Sequence, residues 1–265
     1  MDRSGYIFDA GSATHRGNVR SRNEDAHLVR ADIGLWAVAD GMGGHDSGDL
    51  ASQLIIKTLD GITSATSAVQ LLDETESRIF EANRQIIEIS RQRGGGVIGS
   101  TVTILLISQD HYACVWAGDS RLYLVSHEAI RQVSRDHTEV EEMLANGAVT
   151  AEEARHWPQN VITRAVGVHE NPDLEIVTGA LEDSDIFVLC SDGLTRHVSD
   201  EEIRRYVSAG DAQSSCSALV ELAVQRGGLD NITVVVVRPM ARSVAGEHTA
   251  AVTELPTTHI GGVTE

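Results

Sequence analysis

The sequence predicts an α+β fold in which helices cover sheets of mostly antiparallel strands. Short runs rich in Val, Ile and Leu, bounded by Gly, Asp, Asn or Ser, are typical of buried strands, and they occur in clusters between helical segments. The two-residue links 109–110 and 119–120 are too short for a parallel crossover, so they predict hairpins. Strand clusters interrupted by helix pairs indicate a layered domain.

Individual elements follow from the local pattern. Apolar runs predict strands at 35–40, 100–108, 111–118, 121–126, 185–193 and 231–237. Helical periodicity predicts helices at 48–60, 68–92, 138–146, 200–207 and 214–226. Capping-box spacing marks the helix start at Ser199 and Glu202, and a further short helix at Thr150 and Glu153 that must end before Pro158. Residues 240–265 are Thr-, Gly- and Ala-rich without a period, so we predict a disordered tail.

Composition limits the classes of partner. The net charge of −18 argues against nucleic acids and anionic membranes. No apolar run approaches the roughly 20 residues of a membrane span, and the first residues lack the pattern of a signal peptide. Cys114, Cys190 and Cys216 are odd in number and widely spaced, which favours free thiols in a reducing compartment. We therefore expect a cytoplasmic protein, and we expect a monomer.

Acidic residues stand at the ends of several runs that should be buried. They are Glu24, Asp25, Asp40, Asp119, Asp192 and Asp230. One Asp-Gly pair is ordinary turn chemistry, but carboxylates gathered at buried strand ends repel one another and are costly to desolvate unless a cation compensates. No Lys or Arg flanks Asp40, and ligation by oxygen atoms alone selects hard ions. The pattern therefore indicates an Mg²⁺ or Mn²⁺ site.

The glycine-rich stretch after Asp40 also suggests a phosphate-binding loop, and that alternative fails in detail. A dinucleotide-binding G-x-G-x-x-G from Gly41 would need glycine where Asp46 stands, and Asp40 would repel the pyrophosphate. Residues 117–122 are not a nucleophile elbow, because Leu122 replaces the required glycine. The glycines at 94–96 lack the lysine of a P-loop. We retain the metal-ligand interpretation.

Eight collinear motifs, spread from about residue 8 to residue 238, resemble those of the metal-dependent Ser/Thr protein phosphatases of type 2C. They are GNVRSRNEDA (17–26), VADGMGGHDSGDLAS (38–52), GST (99–101), AGDSRLYL (117–124), SRDHT (134–138), ITRAVG (162–167), LCSDGLT (189–195) and DNITVVVV (230–237). The DGMGG form resembles the bacterial branch. The resemblance implies a catalytic domain at 8–239, folded as a four-layer α-β-β-α sandwich with two mostly antiparallel sheets and a dinuclear metal centre at one end.

The resemblance also implies roles for site residues. The ligands of two Mn²⁺ or Mg²⁺ ions would be Glu24, Asp25, Asp40, the Gly41 carbonyl, Asp192 and Asp230. Asp40 would bridge the ions and form the catalytic set with Asp192 and Asp230, while Glu24 and Asp25 would serve the second ion, partly through water. Arg20 would grip the substrate phosphate, a task that suits a guanidinium fork. Asn231 would orient its neighbours.

Two positions depart from the family pattern. Met42 stands where relatives outside the bacterial branch carry a histidine that protonates the leaving group, and methionine cannot supply that proton. Arg196 stands where many relatives carry Asp or Asn, close to a third, weaker metal held by the equivalents of Asp119 and Asp192. We predict that Arg196 pairs with one of these aspartates and that the third ion is absent or very weak.

The implied function is hydrolysis of phosphoserine and phosphothreonine on proteins by a metal-activated water, opposing a Ser/Thr kinase in bacterial signalling. An alternative is a catalytically weak pseudophosphatase that binds phosphoproteins, although the complete ligand set favours the enzyme. A small-molecule phosphomonoesterase also fits the motifs. Residues 139–160 occupy the place of the family's flap, where they either set specificity or form a helical hairpin that covers the sheet.

Overall fold

Two antiparallel sheets form the centre of the structure, a computed structural model that describes residues 5–43, 47–63, 65, 67–127 and 129–241. Their strands are β1 (Tyr6–His15), β2 (Asp25–Arg30), β3 (Leu35–Gly43), β4 (Ile98–Ser100), β5 (Val102–Ser108), β6 (His111–Ala117), β7 (Arg121–Ser126), β8 (Ala129–Gln132), β9 (Glu175–Ala180), β10 (Ile186–Cys190) and β11 (Ile232–Ala241). The five-stranded sheet has the order β1-β11-β10-β7-β8. The six-stranded sheet has the order β2-β3-β5-β6-β9, with β4 paired to β3.

Helices cover the outer face of each sheet. They are α1 (Gly48–Asp60), α2 (Ala68–Gln92), α3 (Glu139–Ala145), α4 (Ala151–Ala154), α5 (Asp192–Thr195), α6 (Asp200–Ala209) and α7 (Ala212–Gln225). Helix α1 packs on β2 and β3 and α2 packs on α1, whereas α7 packs on β1 and β11 and α6 packs on α7. The predicted helix at 68–92 has these same bounds in the structure.

The alternation of side chains along a strand divides the core into layers. On β3, Leu35, Ala37 and Ala39 pack under α1 and α2, whereas Trp36 and Val38 pack between the two sheets. A further cluster joins the five-stranded sheet to α6 and α7. Because successive residues of a strand point to opposite faces, a strand covered on both sides is apolar at every position. The four-layer α-β-β-α sandwich is therefore confirmed.

Both predicted capping boxes are present. The Thr150 hydroxyl accepts the Glu153 N–H at 3.3 Å, and the Glu153 carboxylate accepts the Thr150 N–H at 2.8 Å. At the start of α6, the Glu202 carboxylate accepts the Ser199 N–H at 3.1 Å. These reciprocal contacts satisfy amide groups that the first turn of a helix leaves unpaired, and they set where α4 and α6 begin.

The predicted hairpin at 119–120 is wrong. This link joins β6 of the six-stranded sheet to β7 of the five-stranded sheet, so the chain changes sheet there. Gly118 adopts φ +111°, and the Thr101 and Thr103 hydroxyls contact Ser120 Oγ and Ser120 O at 2.8 and 2.6 Å. A left-handed glycine and these two hydroxyls turn the chain into the other layer. The hairpin at 109–110 is confirmed, because it joins the antiparallel pair β5–β6.

Other boundaries also differ from the prediction. The strand predicted at 185–193 ends at Cys190, and α5 begins at Asp192. The run at 100–108 is divided into β4 and β5 at Thr101. Strands β1, β2, β8 and β9 do not correspond to any of the predicted apolar runs. In the edge strand β9, all six residues are exposed or half-buried, so the apolar signal of a strand is weak.

The C-terminal end of the described chain overlaps the first residues of the predicted tail. Strand β11 continues to Ala241, and residues 242–265, which make up most of the predicted tail, lie outside the described residues. The domain bounds at 8–239 therefore stay a prediction. Among the described residues, none of the helices combines the length and apolar character that crossing a membrane demands.

Candidate active site

The predicted site residues meet at one end of the sandwich, in a pocket of about 240 Å³. Its lining includes Arg20, Glu24, Asp40, Gly41, Asp119, Asp192, Asp230 and Asn231. Asp25 lies directly opposite Asp40 in the β2–β3 register. The start of β2, the end of β3, the end of β10 and the start of β11 all lie at this end, because antiparallel neighbours bring alternate termini together.

The backbone of Asp40 is held in place by β4 and its neighbour Thr101. The Asp40 N–H donates to Thr101 Oγ1 at 3.1 Å. The Asp40 carbonyl accepts the Thr101 N–H at 2.9 Å and the Ser100 hydroxyl at 2.9 Å. The N–H and the carbonyl of Asp40 both form hydrogen bonds within the protein. The Asp40 carboxylate is therefore the group of this residue that can bind a ligand.

Glycines at positions 41 and 48 let Glu24 approach the site. A Cβ on Gly41 would lie 2.1 Å from the Gly48 carbonyl oxygen, and one on Gly48 would lie 2.7 Å from Glu24 Oε1. The Gly41 N–H donates to the Glu24 carbonyl at 3.1 Å. Any side chain here would push α1 away from β3, so the glycine-rich turn serves close packing around the carboxylates.

Asn231 and Ser191 support the ligand candidates from behind. Asn231 Nδ2 donates to the carbonyls of Arg16 and Arg22 at 2.9 and 2.8 Å, and Asn231 Oδ1 accepts the Glu24 N–H at 2.8 Å. The amide thus spans the loop that carries Glu24, as the predicted orienting role requires. Ser191 Oγ donates to Asp25 Oδ2 at 2.8 Å.

Two arginines pair with Asp192, at the start of α5, and with Asp230, just before β11. Arg196 Nε donates to Asp192 Oδ2 at 3.0 Å, and Arg196 Nη1 lies 3.4 Å from Asp230 Oδ2. Arg20 forms a two-point contact with Asp230, with Nε 2.8 Å from Oδ1 and Nη2 2.9 Å from Oδ2. The predicted pairing of Arg196 with one of the aspartates is therefore confirmed, and its partner is Asp192.

The buried carboxyl groups strongly resist ionisation. Loss of hydration, reinforced by neighbouring carboxylates, raises the pKa of Asp25 to about 7 and the pKa of Asp119 to about 7. The same two causes raise the pKa of Asp40 well above its usual range. Desolvation also raises the pKa of Asp192, although Arg196 opposes that shift. Cations that enter such a cluster would lower these pKa values and favour the ionised carboxylates.

The chemistry of these groups fits a pair of hard divalent cations. Asp25 Oδ1 and Asp192 Oδ1 are buried and have no hydrogen-bond partner among the described residues, which is costly for a carboxylate oxygen. Over the same residues, no three acidic, His or Cys side chains are already grouped to hold an ion. We attribute this to Arg20 and Arg196, whose guanidinium groups hold Asp230 and Asp192 and supply the cationic charge. The carboxylate and carbonyl oxygens are donors of the type that Mn²⁺ and Mg²⁺ prefer.

The chain also matches known proteins. Residues 13–225 match the family model described as protein phosphatase 2C. This chain belongs to the protein phosphatase 2C family. It is 36% identical over 241 residues to the serine/threonine protein phosphatase PstP of Mycobacterium tuberculosis, and the match covers 89% of this chain and 46% of PstP. The chain thus spans about half the length of that relative. The serine/threonine phosphatase Stp of Listeria monocytogenes is 32% identical over 234 residues, which cover 84% of this chain and 93% of Stp.

Solved structures give the same result for the fold of this type 2C chain. PppA, described as a key regulatory component of the type VI secretion system in Pseudomonas aeruginosa, superposes with a TM-score of 0.83 at 40% identity, over 88% of this chain and 98% of PppA. The catalytic domain of PstP, solved in complex with two manganese ions, superposes with a TM-score of 0.79 at 33% identity, over 89% of this chain and 99% of that domain.

Two features of this type 2C pocket lie outside the ligand set. Residues 139–160 hold α3 and α4, and Asn160 lines the pocket at the end of that segment, so the predicted flap lies beside the site. Met42 also lines the pocket, with its Cε 3.2 Å from the position of a Cβ on Gly99. A thioether carries no transferable proton.

The supporting residues Ser191, Ser100 and Thr101 were not predicted from the sequence. Their hydroxyls contact Asp25 and Asp40. Ser191 immediately precedes Asp192, and Ser100 and Thr101 form the GST motif. Small hydroxyl residues at strand ends next to predicted ligands are the signal that identifies such supports.

Proposed function

We propose that this protein phosphatase 2C chain hydrolyses phosphoserine and phosphothreonine on proteins in the cytoplasm and opposes a Ser/Thr kinase, acting as a monomer. The observation that carries this proposal is the convergence of Asp25, Asp40, Asp192 and Asp230 beneath an arginine at the pocket mouth. The relatives PstP and Stp, which are named as serine/threonine phosphatases, support the class of substrate.

The site residues divide into ion ligands and a substrate contact. Asp40, Asp192 and Asp230 would hold two Mn²⁺ or Mg²⁺ ions, together with Glu24, Asp25 and the Gly41 carbonyl. When bound, such ions supply a water of lowered pKa and neutralise charge on the phosphoryl oxygens. The PstP catalytic domain with two manganese ions supports this assignment.

Arg20 binds the phosphate of the substrate in this proposal. Its side chain is 51% exposed and its fork holds both oxygens of Asp230, so the same two-point geometry is available to a phosphate. When Asp230 binds a cation, the Arg20 guanidinium would leave the Asp230 carboxylate and bind the substrate phosphate instead. Met42 gives no proton, so a metal-bound water or another residue must protonate the serine or threonine oxygen that leaves.

A phosphoprotein-binding pseudophosphatase is the second candidate. It is favoured by the contacts of Arg196 with Asp192 and Asp230, since a guanidinium that keeps these carboxylates would hinder ion binding. The two candidates make different predictions for turnover, because a binding protein retains phosphopeptides without releasing phosphate.

The deciding experiment measures hydrolysis of p-nitrophenyl phosphate and of a phosphothreonine peptide, with Mn²⁺ and with EDTA. The wild-type chain should release phosphate with Mn²⁺ alone, and Asp192→Ala should lose at least about 100-fold in rate, as expected when a metal ligand is removed. The exposed Asp183 offers a matched control, and Asp183→Ala should retain full activity. Metal-independent turnover, or an active Asp192→Ala variant, contradicts the proposal, and peptide binding without turnover supports the pseudophosphatase.

A further inference from the structure

Two other cavities in the described part of the chain share lining residues with the candidate active-site pocket. A cavity of about 570 Å³ on one side shares Met42 and Gly43 with it. A cavity of about 490 Å³ shares Asp119, Asn160, Asp192 and Arg196 with it. Both flanking cavities are larger than the central one of about 240 Å³. The three together form a groove with room for more than a phosphorylated side chain.

The larger flanking cavity, here called the Arg93 pocket, is lined by Met42, Ser47, Arg93, Val97, Ile98 and two glycines. Arg93 follows the last residue of α2 and is exposed. Its Nη1 donates to Ser47 Oγ at 3.2 Å, so within the described ranges its side-chain contact is a hydroxyl and not a carboxylate. A guanidinium has five N–H donors, and one hydroxyl leaves it able to take a carboxylate.

The opposite cavity has a different electrostatic character. Arg121 donates to both oxygens of Asp136 at 2.7 to 3.1 Å. Arg196 is held by Asp192. Both of its arginines are thus neutralised, and the buried Asp119 adds acidity. Among the described residues that line the two flanking cavities, Arg93 is the arginine without a carboxylate partner.

From this polarity we propose that the Arg93 pocket is a substrate subsite for an acidic side chain close to the phosphorylated residue. The inference rests on the proposed phosphatase function and specifies its substrate class. An extended chain advances at most about 3.6 Å per residue, so a phosphoresidue in the central pocket places residues a few positions away on one side in the Arg93 pocket. Val97 and Ile98 supply an apolar wall for the methylene groups of a glutamate.

The overall charge of −18 also affects the binding of acidic peptides. Long-range repulsion disfavours every acidic peptide, whichever pocket it reaches. A change in preference caused by Arg93 must therefore be separated from a change in net charge. Arg84 provides the matched control, because it is exposed on α2, the helix that Arg93 follows, has the same charge and is absent from the linings of the three cavities.

The test compares phosphothreonine peptides that carry Glu or Lys at each of three positions before and after the phosphoresidue. For each pair, the ratio of kcat/KM for the Glu peptide to that for the Lys peptide is measured with Mn²⁺. At positions on one side, Arg93→Ala should lower this ratio about 3- to 5-fold, as expected for one exposed ion pair. Arg93→Glu should lower it further, Arg93→Lys should retain most of it, and Arg84→Ala should match the wild type.

Equal ratios for Arg93→Ala and Arg84→Ala would overturn the subsite, as would an equal effect on both sides of the phosphoresidue. If the wild-type chain releases no phosphate from any peptide or from p-nitrophenyl phosphate, the proposed function fails instead. In that case, fluorescence anisotropy measures the binding of non-hydrolysable phosphonate peptides and tests the subsite independently of turnover. Tighter binding of the Glu peptide that is lost in Arg93→Ala supports the subsite, and binding that does not respond to that substitution refutes it.

Discussion

Replacement of Asp25 by asparagine should stabilise the metal-free chain and destabilise the chain in Mn²⁺. The Asp25 carboxyl is 9% exposed, and desolvation together with nearby carboxylates raises its pKa from 3.8 to about 7. An acid whose folded-state pKa lies above the unfolded value costs stability once it must ionise. That cost is absent below about pH 4, grows as the pH rises between the two pKa values, and is complete above about pH 7.

The magnitude follows from the size of the pKa shift. About three pKa units at 1.36 kcal/mol each correspond to roughly 4 kcal/mol of unfolding free energy lost by the wild type at pH 8. In Asp25→Asn the amide can still accept the Ser191 hydroxyl, but its N–H₂ group takes the position of the unpartnered Oδ1. A buried donor without a partner costs about 1–3 kcal/mol. The removed charge outweighs this cost, and a net gain of about 2 kcal/mol corresponds to roughly 4–8 °C in Tm for a domain of this size.

Thermal unfolding in EDTA at pH 8 and pH 5.5 measures this effect. The variant should melt above the wild type at pH 8, and the gap should largely close at pH 5.5, where the cost of ionising Asp25 has fallen to about 2 kcal/mol and the cost of the buried amide offsets it. In excess Mn²⁺ the order should reverse, because the wild type gains binding free energy that the variant largely forfeits. The exposed Asp73 on α2 is the control, and Asp73→Asn should leave Tm unchanged. An Asp25→Asn variant that melts at or below the wild type in EDTA at pH 8 refutes the reasoning.

Three further substitutions test the site and its packing. Arg20→Ala should raise KM for phosphopeptides about 10- to 100-fold, the value of a charged two-point contact, with partial recovery in Arg20→Lys; an unchanged KM in initial-rate kinetics would remove Arg20 from substrate binding. In crystals soaked in millimolar Mn²⁺, Arg196→Asp should bind a third ion at Asp119, and a well-occupied third ion at Asp119 in the wild type would contradict the predicted role of Arg196. Gly193→Ala should fail to yield folded protein by circular dichroism, because its Cβ would lie 1.9 Å from the Asn231 carbonyl oxygen, whereas Gly96→Ala meets open space and should fold.

All of the helices except the short α5 were predictable because their signals are local. Periodicity marked 48–60 and 68–92 with the bounds that the structure has, and the two capping boxes fixed α4 and α6. Strand pairing depends on distant residues, and there the prediction failed at 119–120. A two-residue polar link predicts a turn, but the choice between a partner in the same sheet and one in the other sheet depends on Thr101 and Thr103, which lie on another strand.

The candidate site was predictable to the extent that strand ends are visible in the sequence. Asp40, Asp192 and Asp230 each adjoin an apolar run, and the structure brings them to one pocket. The sequence does not show which hydroxyl supports which carboxylate, because the contact between Ser191 and Asp25 joins two different sheets. The pairing of Arg196 with Asp192 was predictable since the two residues are one helical turn apart.

The position of the site explains why metal binding and folding should be coupled. Asp25 and Asp40 lie on the six-stranded sheet, whereas Asp192 and Asp230 lie at the ends of strands in the five-stranded sheet. Cations bound by these four carboxylates would link the two sheets at one end of the sandwich. At the same end, the link that contains Asp119 connects β6 of the six-stranded sheet to β7 of the five-stranded sheet. Without cations, repulsion among the same groups opposes that approach. The carboxylate cluster thus weakens the metal-free sandwich at the place where bound ions would hold it together.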